Sequence, residues 1–268
     1  MNFLKYISSI YTQILEIIHN MVYTKNMDTT KSKMKKKILA DSNFDKIWSI
    51  DDFKNFPRMD VLKAFSDLTK EGILKRAKRG FYYKSKKTVL GETSYTNIQL
   101  ALSKAKAKCN FYCVSGIAGY NELGLTTQVP NNIVVACDYN LRSENNIKFV
   151  YRKKPINGGK TERIILDAII DIKTIPDTTI EKTINQIKNL IKNNKVNLKS
   201  LVKSAFYETT RVKSVIGAIA EEFDFDNDLL NKLKNSLNPL SMVYLNVGNA
   251  LLYAKNWQIR AEKNEVFT

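Results

Sequence analysis

The sequence predicts an α+β fold, mostly α: an N-terminal winged helix-turn-helix, a small mixed α/β middle part and a helical C-terminal part. Three observations predict it. Residues 47–83 read in the order helix, turn, helix and basic hairpin. Two strand-like runs follow, the β-branched Ile133–Cys137 and the alternating Ile147–Arg152. From Thr161 onward, isoleucines recur at helical spacing.

The first region carries the most information. Ser49 precedes Ile50-Asp51-Asp52-Phe53, an N-cap serine with a carboxylate three residues on, so a short helix starts there. Pro57 breaks it and forces a turn. A second helix runs from Arg58 to Glu71, with Val61, Leu62, Phe65 and Leu68 expected on one face, and Gly72 in the position of a C-terminal glycine cap. Ile73 to Tyr83 then forms two short apolar segments around a basic, glycine-containing turn. A unit of this kind binds duplex DNA by setting its second helix in the major groove. The face opposite Val61 and Phe65 carries Met59, Lys63, Ser66, Asp67 and Lys70, and Arg58 at the helix start suits a phosphate or a base edge. Lys75, Arg76, Lys78 and Arg79 ride on the wing, where cations mostly meet phosphates. The expected DNA-binding residues are therefore Arg58, Met59, Lys63, Ser66, Lys70, Lys75, Arg76, Lys78 and Arg79. The competing reading is a basic hairpin that simply faces solvent.

Charge placement favours the first reading. The 268 residues hold 43 Lys and Arg against 26 Asp and Glu, a net +17, and 44% of the chain is hydrophobic. Residues 1–91 account for +10 of that total, and between Gly72 and Gly91 there are seven basic residues and no acidic one. A polyanionic partner is expected where the helix-turn-helix lies. Three cysteines, Cys109, Cys113 and Cys137, make no disulfide framework and suit a reducing cytoplasm. They read as small core residues. The sole histidine, His19, is far from all three, so no zinc spacing fits and no metal is expected. One histidine also removes most histidine-based acid–base and nucleophilic schemes, and there is no glycine-rich phosphate loop, so neither a cofactor nor a catalytic residue is assigned.

Taken in order, residues 1–23 read as an amphipathic helix interrupted by Lys5, Glu16 and His19, too broken for a membrane span. Residues 1–30 form an N-terminal helix and linker, with Met27 and Met34 as alternative starts. Residues 31–91 form the winged helix-turn-helix, its first helix over Lys33–Ala40. The five lysines between Lys31 and Lys37 are either a solvated face or phosphate contacts. Residues 92–268 form the rest, mixed α/β over 92–160 and helical over 161–268. In the mixed part, helices are expected over Asn97–Lys106 and about Gly116–Leu123, with a hairpin-length loop from Asn140 to Asn146 joining the two main strands. Asp138, followed by Lys148 or by Lys153 and Lys154, is the nearest approach to a metal-dependent nuclease. The required acid-x-Lys step on the second strand is absent.

Several of these segments resemble AbiEi-type antitoxins. Phe53, the run Val61–Arg76 and Arg79-Gly80-Phe81-Tyr82-Tyr83 are similar to that family's winged helix. Leu123-Gly124-Leu125-Thr126-Thr127-Gln128-Val129-Pro130 resembles its most recognisable segment, and Arg211-Val212, Gly217-Ala218, Ser236–Ser241 and Trp257 are similar to further positions. The likeness covers roughly residues 45–260; the first thirty residues and the high lysine content depart from the usual pattern. The resemblance implies the antitoxin of a bacterial toxin–antitoxin, or abortive-infection, pair. Its winged helix binds inverted repeats in its own promoter DNA and represses the operon, and its C-terminal part counters a nucleotidyltransferase-like toxin encoded next door. No enzymatic activity and no membrane association are implied, and monomer and homodimer fit equally well. For Gly124–Pro130, a helix end, a polar turn satisfied by threonine hydroxyls and a strand start stand beside contact with toxin or nucleic acid. Two rivals remain: a winged-helix regulator with a ligand-sensing C-terminal domain and no toxin, and a nucleic-acid-processing enzyme that uses Asp138.

Overall fold

The computed structural model describes residues 30–44, 46–89, 91–144 and 146–261. The chain divides into two compact units, one ending at Ser103 and the other beginning at Lys104. The amphipathic helix expected over residues 1–23 lies outside the described residues.

In the N-terminal unit the chain is helical over residues 30–40 (α1), then enters strand β1 (Ile47–Ser49) and a 3₁₀ helix (Ile50–Phe53). Helix α2 (Arg58–Lys70) and the strands β2 (Lys75–Lys78) and β3 (Phe81–Tyr83) follow. β3 is the central strand and pairs antiparallel with both others. This is the element order of a winged helix-turn-helix. β1 is an addition to the expected order, since three residues are too few for an alternation to show.

Local chemistry explains the boundaries. The Asp52 carboxylate accepts the Ser49 backbone N–H at 2.8 Å and its hydroxyl at 3.2 Å, which fixes the 3₁₀ start. Beyond the end of α2, Gly72 takes φ +73°. The Ile73 N–H reaches the Leu68 carbonyl and the Gly72 N–H that of Thr69, so two orphan carbonyls are satisfied. The core joins Met34 and Ile38 of α1 to Trp48, Phe53 and the Val61, Ala64, Phe65 and Leu68 face of α2. Phe65 stacks on Tyr82 of the wing with centroids 4.4 Å apart and planes 6° apart, tying helix to sheet. Leu62, expected on that face, is 37% exposed, and Ala64 is buried in its place. At about 100° per residue, Leu62 lies roughly 100° from Val61 while Ala64 lies roughly 60° away. After the wing come the hairpin β4 (Lys87–Thr88) and β5 (Gly91–Glu92), then helix α3 (Asn97–Lys106).

The C-terminal unit begins with a three-stranded sheet of β6 (Tyr112–Ser115), β7 (Ile133–Cys137) and β8 (Ile147–Tyr151), with helix α4 (Gly116–Glu122) after β6. β6 and β7 are antiparallel. β7 and β8 are parallel, Ile133 opposite Ile147 and Cys137 opposite Tyr151, so residues 140–146 are not a hairpin loop. Five-residue strands are only about 16 Å long. Nine residues separate the two strands and can reach about 30 Å when extended, enough to span the length of β7 before β8 begins.

Helices α5 (Lys160–Ile170), α6 (Ile180–Lys192), α7 (Leu198–Ala205), α8 (Thr210–Glu222) and α9 (Asn227–Asn235) complete the α-rich part. α5 is buried all round from Glu162 to Ile169, a central helix and not the one-sided helix its isoleucines suggest. Asp167 of α5, 5% exposed, collects Ser115 at the end of β6, Arg152 just after β8 and Arg163 of its own helix at 2.7, 2.7 and 3.0 Å. It thereby ties two sheet strands to the helical core. The helical reading of residues 161–268 holds only as far as α9. From Asn238 to Ala261 the chain carries two parallel two-residue strands, β9 (Val243–Tyr244) and β10 (Ile259–Arg260), and a 3₁₀ helix over Ala254–Trp257. Pro239 lacks an N–H, and Gly248 at φ +52° lies under the Glu181 carboxylate, where a Cβ would come within 2.6 Å of Oε2.

Candidate nucleic-acid interface

α2 presents two faces of opposite character. Val61, Ala64, Phe65 and Leu68 are buried, while Met59, Lys63, Ser66 and Lys70 are exposed on the other side, Met59 at 74%. Spacings of four, three and four residues bring those four onto one stripe of about 60°. Leu62 flanks the stripe. Asp67 is half-buried at its edge. Arg58 is exposed in the first turn, where the N-cap is Pro57 and no side chain caps the helix. The first N–H groups of α2 are thus left for solvent or an anion.

The wing places Lys75, Arg76 and Lys78 on β2 and Arg79 in the turn before Gly80, whose φ of +82° permits the tight return. All four cations are exposed. The β2–β3 register shifts between Arg76 and Lys78, a bulge at Ala77 that re-aims the strand. The carbonyl of Ala77 accepts the Tyr95 hydroxyl at 3.1 Å, and Tyr95 packs edge-on against Tyr83. The bulge is therefore held from behind. Lys75 is not a free cation: its ammonium pairs with Glu92 of β5, and that bond raises its pKa. Arg58, Lys70, Arg76 and Arg79 have no acidic partner among the described residues.

The lysines of α1 divide similarly. Lys31 and Lys35 both pair with Glu71 just past the end of α2, at 2.5 and 3.1 Å, and hold its carboxyl below the ordinary value. Lys37 donates to the Asp52 carbonyl at 2.9 Å and lies over the Phe53 ring. Three of the five lysines thus fasten α1 to its neighbours, leaving Lys33 and Lys36 exposed. Lys84 donates to the carbonyl of Asp41 at 2.5 Å, also a structural use. Lys54, absent from the sequence reading, is exposed in the turn before Pro57, its ammonium 3.6 Å from the Asp51 carboxylate.

In the C-terminal unit, the Gly124–Pro130 segment is engaged internally. Gly124 follows α4 at φ +69° with the same pair of closing hydrogen bonds as Gly72. Thr126 Oγ1 lies 3.0 Å from the Pro176 carbonyl and 2.5 Å from the Asp177 carboxylate, which also accepts the Thr127 N–H and hydroxyl. These donors, Thr126 first, hold the Asp177 carboxyl below its ordinary value. The threonines thus latch the turn onto the α5–α6 connection. Asp138 accepts the Asn110 N–H at 3.1 Å, and among the described residues no group of three or more His, Cys, Asp or Glu side chains could hold a metal ion. Cys113 and Cys137 are buried and Cys109 is half-buried; burial pushes the Cys109 and Cys113 thiols up to about 12. No described helix is long and apolar enough to cross a membrane.

Comparison with known proteins returns one family model, described as a family of unknown function (DUF6088), which matches residues 26–198. No curated protein matches the sequence. Among solved structures, the crystal structure of the RV2827C protein from Mycobacterium tuberculosis is similar at 10% identity and a TM-score of 0.49, over 87% of this chain and 92% of that one.

Proposed function

The chain belongs to the DUF6088 family, whose function is unknown, and within it we propose that this member is a cytoplasmic DNA-binding antitoxin that represses its own operon. One observation carries the DNA-binding part. The exposed stripe of α2, Met59, Lys63, Ser66 and Lys70, stands opposite its buried face, with the unpaired cations Arg58, Arg76 and Arg79 around it. A helix so arranged enters the major groove while the wing follows the phosphates. The antitoxin part rests on the resemblance of residues 45–260 to AbiEi-type antitoxins, which makes the partner a nucleotidyltransferase-like toxin encoded alongside. No catalytic residue, metal or cofactor enters the reading.

Fluorescence anisotropy on a duplex from the protein's own promoter, against an unrelated duplex of equal length, tests the repressor. Preference for the promoter by about a thousandfold or more is expected at physiological salt. Equal affinity for the two duplexes would reject sequence-specific repression. A ligand-sensing regulator without a toxin is the second reading, favoured by a basic cleft in the C-terminal unit. Co-expression separates the two, because only the antitoxin restores growth against a toxic neighbouring gene.

A further inference from the structure

The segment leaving β8 lies against α7 and opens a cleft of about 290 Å³ within the C-terminal unit. Its polar lining is Lys153, Lys154, Arg163, Ser204, Tyr207 and Glu208. The single acid, Glu208, already accepts Arg163 Nη1 at 2.6 Å, so the lining carries a surplus of positive charge. Arg163 is 1% exposed; its Nη2 is bound to Asp167, and its buried Nε has no partner. At the mouth, the Tyr207 ring is 67% exposed, with the Lys153 ammonium 5.5 Å from its centroid.

The wall is built rather than loose. The Ile156 N–H donates to Ser204 Oγ at 2.8 Å. Asn157 takes φ +53°, and a Cβ at Gly158 would fall 2.2 Å from Ser200 Oγ and 3.0 Å from Pro155 Cβ. The turn therefore has little room to move, which fixes the backbone next to the two lysines.

We propose that this cleft binds a nucleotide, its base stacked on Tyr207 and its phosphate between Lys153 and Lys154 over the buried Arg163 charge. An exposed aromatic face beside paired cations suits a planar base joined to an anion. The volume of about 290 Å³ lies just below the usual range of small-molecule sites, roughly 300–1,000 Å³, so the cleft takes at most one base-and-phosphate unit. The site shares no residue with the α2 and wing surface and does not depend on the DNA-binding reading.

Calorimetric titration of the full chain with AMP, inorganic pyrophosphate and a 5′-phosphorylated single-stranded trinucleotide tests it. Saturable binding of AMP or the trinucleotide is expected, and the tighter of the two identifies a free nucleotide or a strand end as the source. Lys153→Ala with Lys154→Ala, and separately Tyr207→Ala, should each weaken it about tenfold, while Tyr207→Phe retains it. These side chains are exposed, and the phenylalanine variant serves as the folded control. No saturable binding of either nucleotide, or binding that these substitutions leave unchanged, overturns the proposal. So does pyrophosphate binding as tightly as AMP with no effect of Tyr207→Ala. Substituting Lys75, Arg76, Lys78 and Arg79 should leave AMP binding intact, and its loss there would move the ligand to the wing and reject the cleft.

Discussion

Asp167 is the side chain on which much of the C-terminal unit's buried charge depends. It faces Arg152, Arg163 and Ser115, and Arg163 is almost wholly enclosed. Asp167→Ala leaves the enclosed Arg163 with Glu208 as its one remaining acidic partner, so a loss of up to roughly 3–5 kcal/mol in urea unfolding is expected. Gly217 shows a steric constraint of the same scale. A Cβ there would fall 2.2 Å from the Trp257 ring, while the Trp257 indole N–H donates to Glu221 at 2.6 Å. Gly217→Ala should therefore cost about 1–3 kcal/mol, and a thermal melt unchanged from wild type would contradict the close packing. Asp177 has a pH signature. Its folded-state pKa lies below 3.8, so the stabilisation from the Thr126 and Thr127 donors is present at neutral pH and lost as pH falls through the folded value. Asn tolerates the φ of +52° at this position, so Asp177→Asn isolates the charge. The melting difference between the two proteins should be constant at neutral pH and shrink below about pH 4. Growth of that difference on acidification would assign the effect elsewhere.

For the elements, the wing and α2 separate by the kind of contact each makes. Substituting Lys75, Arg76, Lys78 and Arg79 together should weaken binding to every duplex and flatten its salt dependence, by roughly 0.9 in slope for each phosphate the wing no longer neutralises. Lys75 is already paired with Glu92, so its single substitution should change the slope less than that of Arg76 or Arg79. Equal slopes for the three would show that the pair opens on DNA. Arg58→Ala or Lys63→Ala should instead alter sequence preference, because base contacts specify while phosphate contacts position. Uniform weakening across operator variants would take those two residues out of base readout.

At the scale of the whole molecule, the division between Ser103 and Lys104 falls inside α3. A chain of residues 92–268 keeps that helix whole and removes α2 and the wing. Co-expressed with the adjacent gene, it should restore growth while losing repression of a promoter reporter. Failure to restore growth, with the full chain succeeding, would show that the N-terminal unit is needed against the toxin as well.

Elements whose signals are local were legible in the sequence alone. Pro57, Gly72 and the spacing from Val61 to Leu68 bound α2, and the same spacing left Met59, Lys63, Ser66 and Lys70 on its outer face. The end of α4 at Gly124 was legible for the same reason, since a glycine cap acts within one turn of helix. Tertiary packing settled what depends on partners distant in the chain. The placing of Leu62 on the buried face was not a matter of packing, since the helical period itself sets Ala64 nearer Val61, Phe65 and Leu68. A β-branched run identifies β7 and alternation identifies β8, but neither carries direction, and the tertiary structure pairs them parallel. Lys75 reads like its neighbours on the wing until the chain brings Glu92 to it, seventeen residues on. The Lys153-Lys154 pair, Arg163 and Tyr207 lie on three separate stretches of chain, so a cleft among them has no signature in linear spacing. Side-chain period and capping are short-range properties of the backbone; ion pairing, strand direction and cavities are made when distant segments meet.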